Sequence, residues 1–142
     1  MNNNSSFAFS GYLLITLLLF QGISGVFGGA ALVYNPSGDT LQMPLSLLAG
    51  TPFSTYLIPG LILLILLGIF PIFVAYIFWK RWKWSQMGAL AVGLALITWI
   101  GMEIAMIGYQ NEPPLQAIYG AVGFLILLIL PFIRNGKPAK MP

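Results

Sequence analysis

The feature that most constrains this chain is a succession of four apolar runs, each long enough to cross a lipid bilayer. They cover residues 11–34, 55–79, 84–109 and 114–133, and a helix needs about 20 residues to span the hydrocarbon core. The composition agrees, because the 142-residue chain is 58% hydrophobic and 6% charged. Water-soluble domains are less hydrophobic and contain far more charged residues. The sequence therefore predicts an all-α membrane protein, a single domain over residues 1–142 that folds as an antiparallel bundle of four transmembrane helices.

The basic residues predict how the chain crosses the membrane. All six follow either the second run, at residues 80–83, or the fourth, at residues 134–140. Because basic connections stay in the cytoplasm, both termini are predicted to be cytoplasmic, in a multi-pass protein of the plasma membrane. Tyr34, Tyr56 and Tyr109 then mark the outer interface.

The aromatic residues beside the first basic group, in the stretch "FWKRWKW", alternate with its bases. Such interleaving also occurs in nucleic-acid-binding segments. Next to an apolar run it is better interpreted as a membrane anchor, in which long basic side chains extend to the lipid head groups. Membrane lipids are therefore expected partners, and nucleic acid is not.

The connection between the first two runs, residues 35–54, is long and apolar. Its "NPSG" is a turn signal, and in "MPLSLLAG" Pro44 suits the start of a short helix and Gly50 its end. Leu41, Leu45 and Leu48 would share one face of the segment. Because such a segment is too apolar to be left in water, we expect an ordered outer loop, with a short helix near residues 44–49, that folds back onto the bundle.

The residues that the chain lacks exclude several kinds of chemistry. It has no cysteine and no histidine, so disulfides, thiol nucleophiles and the commonest zinc ligands are ruled out. Only three acids are present, and no pair of them shares an apolar run. The sequence therefore predicts no enzyme activity, no catalytic residue, no metal site and no cofactor.

One of the three acids, Glu103, lies inside an apolar run. It precedes Tyr109 by six residues, which places it about 9 Å below the outer end of its helix at 1.5 Å per residue. A carboxylate at that depth costs a few kcal/mol unless it is neutral, paired or in contact with water. A functional role is therefore the default hypothesis.

Depth and helical phase place other side chains near Glu103. The predicted ligand- or partner-binding residues are Glu103, Trp99 and Met106 on the third helix, Gln116 and Tyr119 on the fourth, and Gln21, Ser24 and Gly28 on the first. They would form an outward-opening crevice beneath the loop. The alternative is structural: Glu103 is simply hydrogen-bonded to Tyr119 or Gln116.

Small residues and one proline predict the packing of the helices. Gly25 and Gly29 on the first helix, and Gly101 and Ala105 on the third, have the spacing that lets helix backbones approach closely. If the second pair packs inward, Glu103 lies nearly opposite it and points toward another subunit. Pro71 is expected to kink the second helix.

A resemblance accompanies these patterns. The stretch "NPSGDTLQMPLSLLAGTPFSTYLIPGLILLILLG" resembles segments of small uncharacterised four-helix membrane proteins of prokaryotes, a likeness that covers about a quarter of the chain and brings no known activity. The layout of four helices with a folded outer loop is also distantly similar to the vitamin K epoxide reductase family. That family's chemistry rests on paired cysteines and a quinone, so without cysteine no redox function carries over.

Two hypotheses about function stay open. The first is an accessory or structural subunit of a larger membrane complex, which would contact other membrane subunits or a second copy of itself. The second is a binding module for a lipid-like or isoprenoid-like ligand near Glu103. Ion conduction is disfavoured, because the inner halves of the second and fourth helices offer essentially no polar lining.

Overall fold

Four long helices form the protein in the computed structural model, which describes residues 3–41, 45–108 and 115–136. The helices are α1 (Asn3–Tyr34), α2 (Leu57–Leu64), α3 (Phe70–Trp79), α4 (Ser85–Ile107) and α5 (Leu115–Gly136). A π-helical turn, Ile65–Ile69, joins α2 to α3, so these three segments form one span. All four spans are long and apolar enough to cross a membrane, which confirms the predicted four-helix fold.

The observed helix ends differ from the predicted ones chiefly at α1 and α4. Helix α1 begins at Asn3 rather than near Gly11, because no proline or glycine interrupts the polar residues before it and an established helix extends easily. Helix α4 ends at Ile107, where Gly108 adopts a φ of 77°. The predicted limits Tyr109 and Pro114 lie outside the described residues.

Glycines bring α1 into backbone contact with the second span. A methyl group added to Gly25 would collide with the carbonyl of Leu67, and one added to Gly29 would lie 2.5 Å from the backbone nitrogen of Leu64. Only a residue without a Cβ fits at such a distance. The predicted close approach at the Gly25 and Gly29 pair is therefore confirmed.

The second pair of small residues, Gly101 and Ala105, lies on an exposed face of α4. A Cβ added to Gly101 would meet nothing within 4 Å. The possibility that this face packs into the bundle is therefore wrong for the described part of the chain. Glu103, on the other side of the helix, is half-buried within the protein.

The irregularity expected at Pro71 takes the form of the π-helical turn that precedes it. Pro71 has no N–H, so it cannot donate to the carbonyl of Leu67 as a residue in an α-helix would. The helix widens over Ile65–Ile69, where Phe70 donates its N–H to the carbonyl of Ile65, five residues back. Such turns commonly absorb a break in the α-helical hydrogen-bond pattern.

The helices pack differently at their two ends. We call the end with residues 80–84, which join α3 to α4, the basic end, and the opposite end, with residues 35–56, the loop end. Toward the basic end α3 packs on both α1 and α4, whereas toward the loop end α2 packs chiefly on α1. Helix α5 packs on α4 and α1. Helices α2 and α4 therefore diverge toward the loop end and leave a gap between them.

The connecting loop covers that gap. Tyr56 donates its backbone N–H to the carbonyl of Pro36 at 2.9 Å, which closes the loop on itself. The predicted short helix is a 3₁₀ turn, Leu45–Leu48, and it contacts α4. Gly50 follows with a φ of 85°, as its predicted role at the end of this segment requires.

The apolar face predicted for the loop is only partly correct. Leu48 is buried against Leu32 and Tyr56. Leu45 is 43% exposed, because a single 3₁₀ turn is too short to bury both leucines. Pro44 and the side chain of Leu41 lie outside the described residues.

Candidate functional site

A cavity of about 330 Å³ fills the space between the diverging helices and the loop. Seven of the eight predicted site residues line it: Gln21, Ser24, Gly28, Trp99, Glu103, Gln116 and Tyr119. The side chain of the eighth, Met106, lies outside the described residues. Helices α1, α4 and α5 thus contribute the predicted residues to one cavity.

Glu103 and Gln116 form the polar pair of the cavity. The side-chain Nε2 of Gln116 donates to Oε1 of Glu103 at 3.0 Å and to the backbone carbonyl of Gly108 at 3.3 Å. Gln116 is buried, with 4% of its surface exposed, and the two acceptors establish which side-chain atom is the nitrogen. Trp99, one turn before Glu103 on α4, lies within hydrogen-bonding reach of the same carboxyl.

Tyr119 lines the cavity but has a different role from the one considered from the sequence. Its ring stacks on Phe20 of α1, with centroids 5.9 Å apart and planes inclined by 24°. Of the two residues considered as partners of Glu103, Gln116 therefore makes the hydrogen bond shown above. The stacked pair instead ties α5 to α1 beside the cavity, and such aromatic pairs stabilise a fold beyond simple burial.

Gln21 occupies the part of the cavity nearest the middle of the bundle. Its Nε2 donates to the backbone carbonyl of Leu67 at 3.0 Å, the same carbonyl that Pro71 leaves without a donor. Gln21 is 2% exposed, and its Oε1 is buried without a hydrogen-bond partner among the described residues. An unsatisfied buried acceptor costs about 1–3 kcal/mol, which offsets part of the stabilisation from the hydrogen bond to Leu67.

Tyr56 is a cavity residue that the sequence analysis missed. The sequence assigned it to the membrane interface, yet only 3% of its surface is exposed, beneath the loop. Burial raises the pKa of its hydroxyl, and the nearby Glu103 carboxylate raises that pKa further. No sequence signal distinguishes it from an interfacial tyrosine, because its burial depends on the return of the loop.

The remaining walls of the cavity are almost entirely apolar. The loop contributes Leu48, Thr51 and Phe53; the second span contributes Pro59, Ile62, Leu63 and Leu67; and α4 contributes Leu96, Ile100 and Met102. Met102 is 52% exposed, so the cavity reaches the surface on the side of α4. No sequence signal distinguishes these residues from the many leucines and isoleucines around them.

The cavity combines one carboxyl, two amide side chains and several aromatic rings with apolar walls. Such a set binds by charge, hydrogen bonding and burial. The described residues contain no group of three or more side chains that could hold a metal ion.

Comparison of the chain with known protein families, with curated proteins and with solved structures finds no match. The resemblances noted from the sequence, including the layout similar to the vitamin K epoxide reductase family, therefore stay predictions.

Proposed function

We propose that this membrane protein binds a lipid-like amphiphile in the cavity between α2 and α4. The polar head of the ligand lies beside the Glu103 and Gln116 pair, and its apolar tail lies against the leucine and isoleucine walls. The observation that carries the proposal is the cavity's composition: polar groups of three helices converge in an otherwise apolar cavity of a membrane bundle. This is the usual character of a small-molecule site.

The size and position of the cavity suit such a ligand. Its volume of about 330 Å³ is at the lower end of the range for ligand pockets, enough for a head group and the first part of a chain. The rest of the tail would leave between α2 and α4, where Met102 is exposed. With the predicted topology, the ligand enters from the outer leaflet of the plasma membrane.

A second candidate function is an accessory subunit of a larger membrane complex. The observation that favours it is the exposed face of Gly101 and Ala105 on α4, because small residues allow close packing between membrane helices. This face lies away from Glu103, so a partner helix there would leave the cavity unoccupied. The two functions are therefore separable by experiment.

The test is purification in a mild detergent, followed by mass spectrometry for both co-purified lipids and other chains. The variants are Glu103→Gln, which keeps the shape and most of the hydrogen bonding, and Glu103→Leu, which removes the acceptor of the hydrogen bond from Gln116 to residue 103. Thr98→Leu is the matched control, since Thr98 is an exposed polar residue on the same helix. All variants are compared with the wild type for thermal stability.

We expect a bound amphiphile with the wild type and with Thr98→Leu, and its loss with Glu103→Leu. The Leu variant should also lose about 0.5–1.5 kcal/mol of stability, the net contribution of a typical hydrogen bond, because the bond from Gln116 to Glu103 is lost while that to the Gly108 carbonyl stays. Glu103→Gln should assemble normally. If Glu103→Leu matches the wild type in both stability and bound lipid, the proposed site is wrong. Co-purification of another chain without any amphiphile would favour the accessory subunit.

A further inference from the structure

We propose that the head group of the ligand is cationic: an amine or a quaternary ammonium attached to an apolar tail. This inference rests on the proposed function and adds the charge of the ligand to it. It follows from three properties of the cavity: its charge, its aromatic rings and the kind of hydrogen-bonding group that it leaves available.

The first property is charge. Among the described residues whose side chains line the cavity, Glu103 is the only charged one. The six basic residues of the whole sequence are at positions 80–83 and 134–140, and those at positions 80–83 lie at the basic end. A carboxylate in an apolar cavity attracts a cation more strongly than it would in water, and an anionic head group would find no counter-charge in this lining.

The second property is the set of aromatic rings that line the same cavity as the carboxyl. Trp99 lies one turn from Glu103 on the same helix, and Tyr56 and Tyr119 line the same cavity from the loop and from α5. The faces of such rings attract cations, and several of them together form the usual site for quaternary ammonium groups. A head group that donates no hydrogen bond can therefore still be held beside Glu103.

The third property is the polarity of the available hydrogen-bonding atoms. The Nε2 of Gln116 donates to Glu103 and to Gly108, and the Nε2 of Gln21 donates to Leu67. The two oxygens of an ionised Glu103, by contrast, accept only. These acceptors favour N–H groups or a positive charge over phosphates and esters, which offer acceptors alone.

The experiment compares three amphiphiles of equal chain length on the full-length protein in alkyl maltoside micelles. They are dodecyltrimethylammonium, dodecanol and dodecanoate, each added below the concentration that denatures the protein. Binding is measured by the rise in thermal stability and by native mass spectrometry. The variants are Glu103→Gln and the control Thr98→Leu.

We expect the cation to bind most tightly and dodecanoate most weakly. Glu103→Gln should lower the affinity for the cation by about tenfold or more, corresponding to about 1.4 kcal/mol. The affinity for dodecanol should not change, because only the cation interacts with the charge of Glu103. Thr98→Leu should change neither. Equal binding of all three, or a cation affinity unaffected by Glu103→Gln, would overturn the cationic head group but leave the amphiphile site standing. Failure of every amphiphile to bind, together with no co-purified lipid, would instead overturn the proposed function.

Discussion

Gln21 donates a hydrogen bond of 3.0 Å to the backbone carbonyl of Leu67. Pro71, four residues after Leu67, has no N–H to donate to this carbonyl. In the hydrocarbon of a membrane no water is available to replace the missing N–H, so a neighbouring side chain has to do so. Gln21 thus binds α1 to the irregular turn of the second span. Because both residues also line the cavity, the same contact shapes the part of the site nearest the middle of the bundle.

The first prediction concerns this hydrogen bond. Gln21→Leu should destabilise the protein by about 1–2 kcal/mol, the upper part of the range for hydrogen bonds between membrane helices, because the carbonyl of Leu67 loses its donor. In a Pro71→Ala background the cost should be smaller, since the new N–H of residue 71 is available to that carbonyl. Thermal or chemical unfolding of the wild type, the two single variants and the double variant in detergent gives the interaction energy directly.

An additive outcome, with the same cost of Gln21→Leu in both backgrounds, would show that the amide and the proline act independently. Stability unchanged by Gln21→Leu alone would show that another group supplies the carbonyl.

The second prediction compares two glycines of similar sequence context and opposite surroundings. Gly25→Ala should destabilise the protein by about 1–3 kcal/mol, the usual cost of overpacking, because its methyl group collides with the backbone carbonyl of Leu67. Gly101→Ala is the matched control. It meets nothing within 4 Å, and alanine is the better helix former, so it should be neutral or slightly stabilising.

Unfolding experiments on the two variants are sufficient for this comparison. Equal effects at the two positions would contradict the backbone contact between α1 and the second span. A cost at Gly101 alone would indicate instead that the exposed face of α4 is covered by another chain.

The sequence was sufficient for the four spans and for most residues of the site, for a physical reason. Bilayer thickness sets helix length, and helical periodicity sets which residues share a face. Gln21, Glu103 and Gln116 could therefore be assigned from the sequence to three helix faces that converge on one crevice. Met106, placed by the same periodicity, has a side chain outside the described residues and stays a prediction.

Other features depend on how the helices pack, and periodicity does not contain that information. The divergence of α2 from α4 creates the cavity, yet both helices have apolar residues on every side. The sequence analysis assigned Tyr56 to the membrane interface. Its burial could not be predicted, because it depends on the loop folding back over it. The π-helical turn also could not be distinguished from an ordinary kink at Pro71. Both are ways in which a helix accommodates the N–H that proline lacks.

The third prediction is the topology, which the six basic residues of the sequence motivate. The chain has no cysteine, so single substitutions give unambiguous labelling sites. Ser46→Cys, on the exposed side of the loop, should react with a membrane-impermeant maleimide in intact cells. Lys140→Cys should react only after permeabilisation, because the positive-inside rule places the C-terminal tail in the cytoplasm. The opposite labelling pattern would show that the topology is the reverse of the predicted one and that the cavity lies in the inner leaflet.

The last prediction tests whether Tyr56 lies close to the charge of Glu103. Burial and the Glu103 carboxylate both raise the pKa of Tyr56 above its ordinary value of 10.0. A raised pKa means that the folded state holds the phenolic proton more tightly than the unfolded chain does. The resulting stabilisation is fully present below pH 10.0 and is lost as the pH rises through the raised pKa.

The phenolate absorbance of the wild type, minus that of Tyr56→Phe, isolates the titration of this one residue. The difference should develop above pH 10.0. In the Glu103→Gln background the same difference should move to lower pH, because the nearby negative charge is removed, yet stay above 10.0, because the burial remains. Asp39→Asn is the control, since Asp39 is an exposed acid of the same loop and should leave the titration unchanged. If Tyr56 titrates identically with Glu103 and with Gln at position 103, the Glu103 carboxyl does not lie close to Tyr56 beneath the loop, and this prediction is wrong.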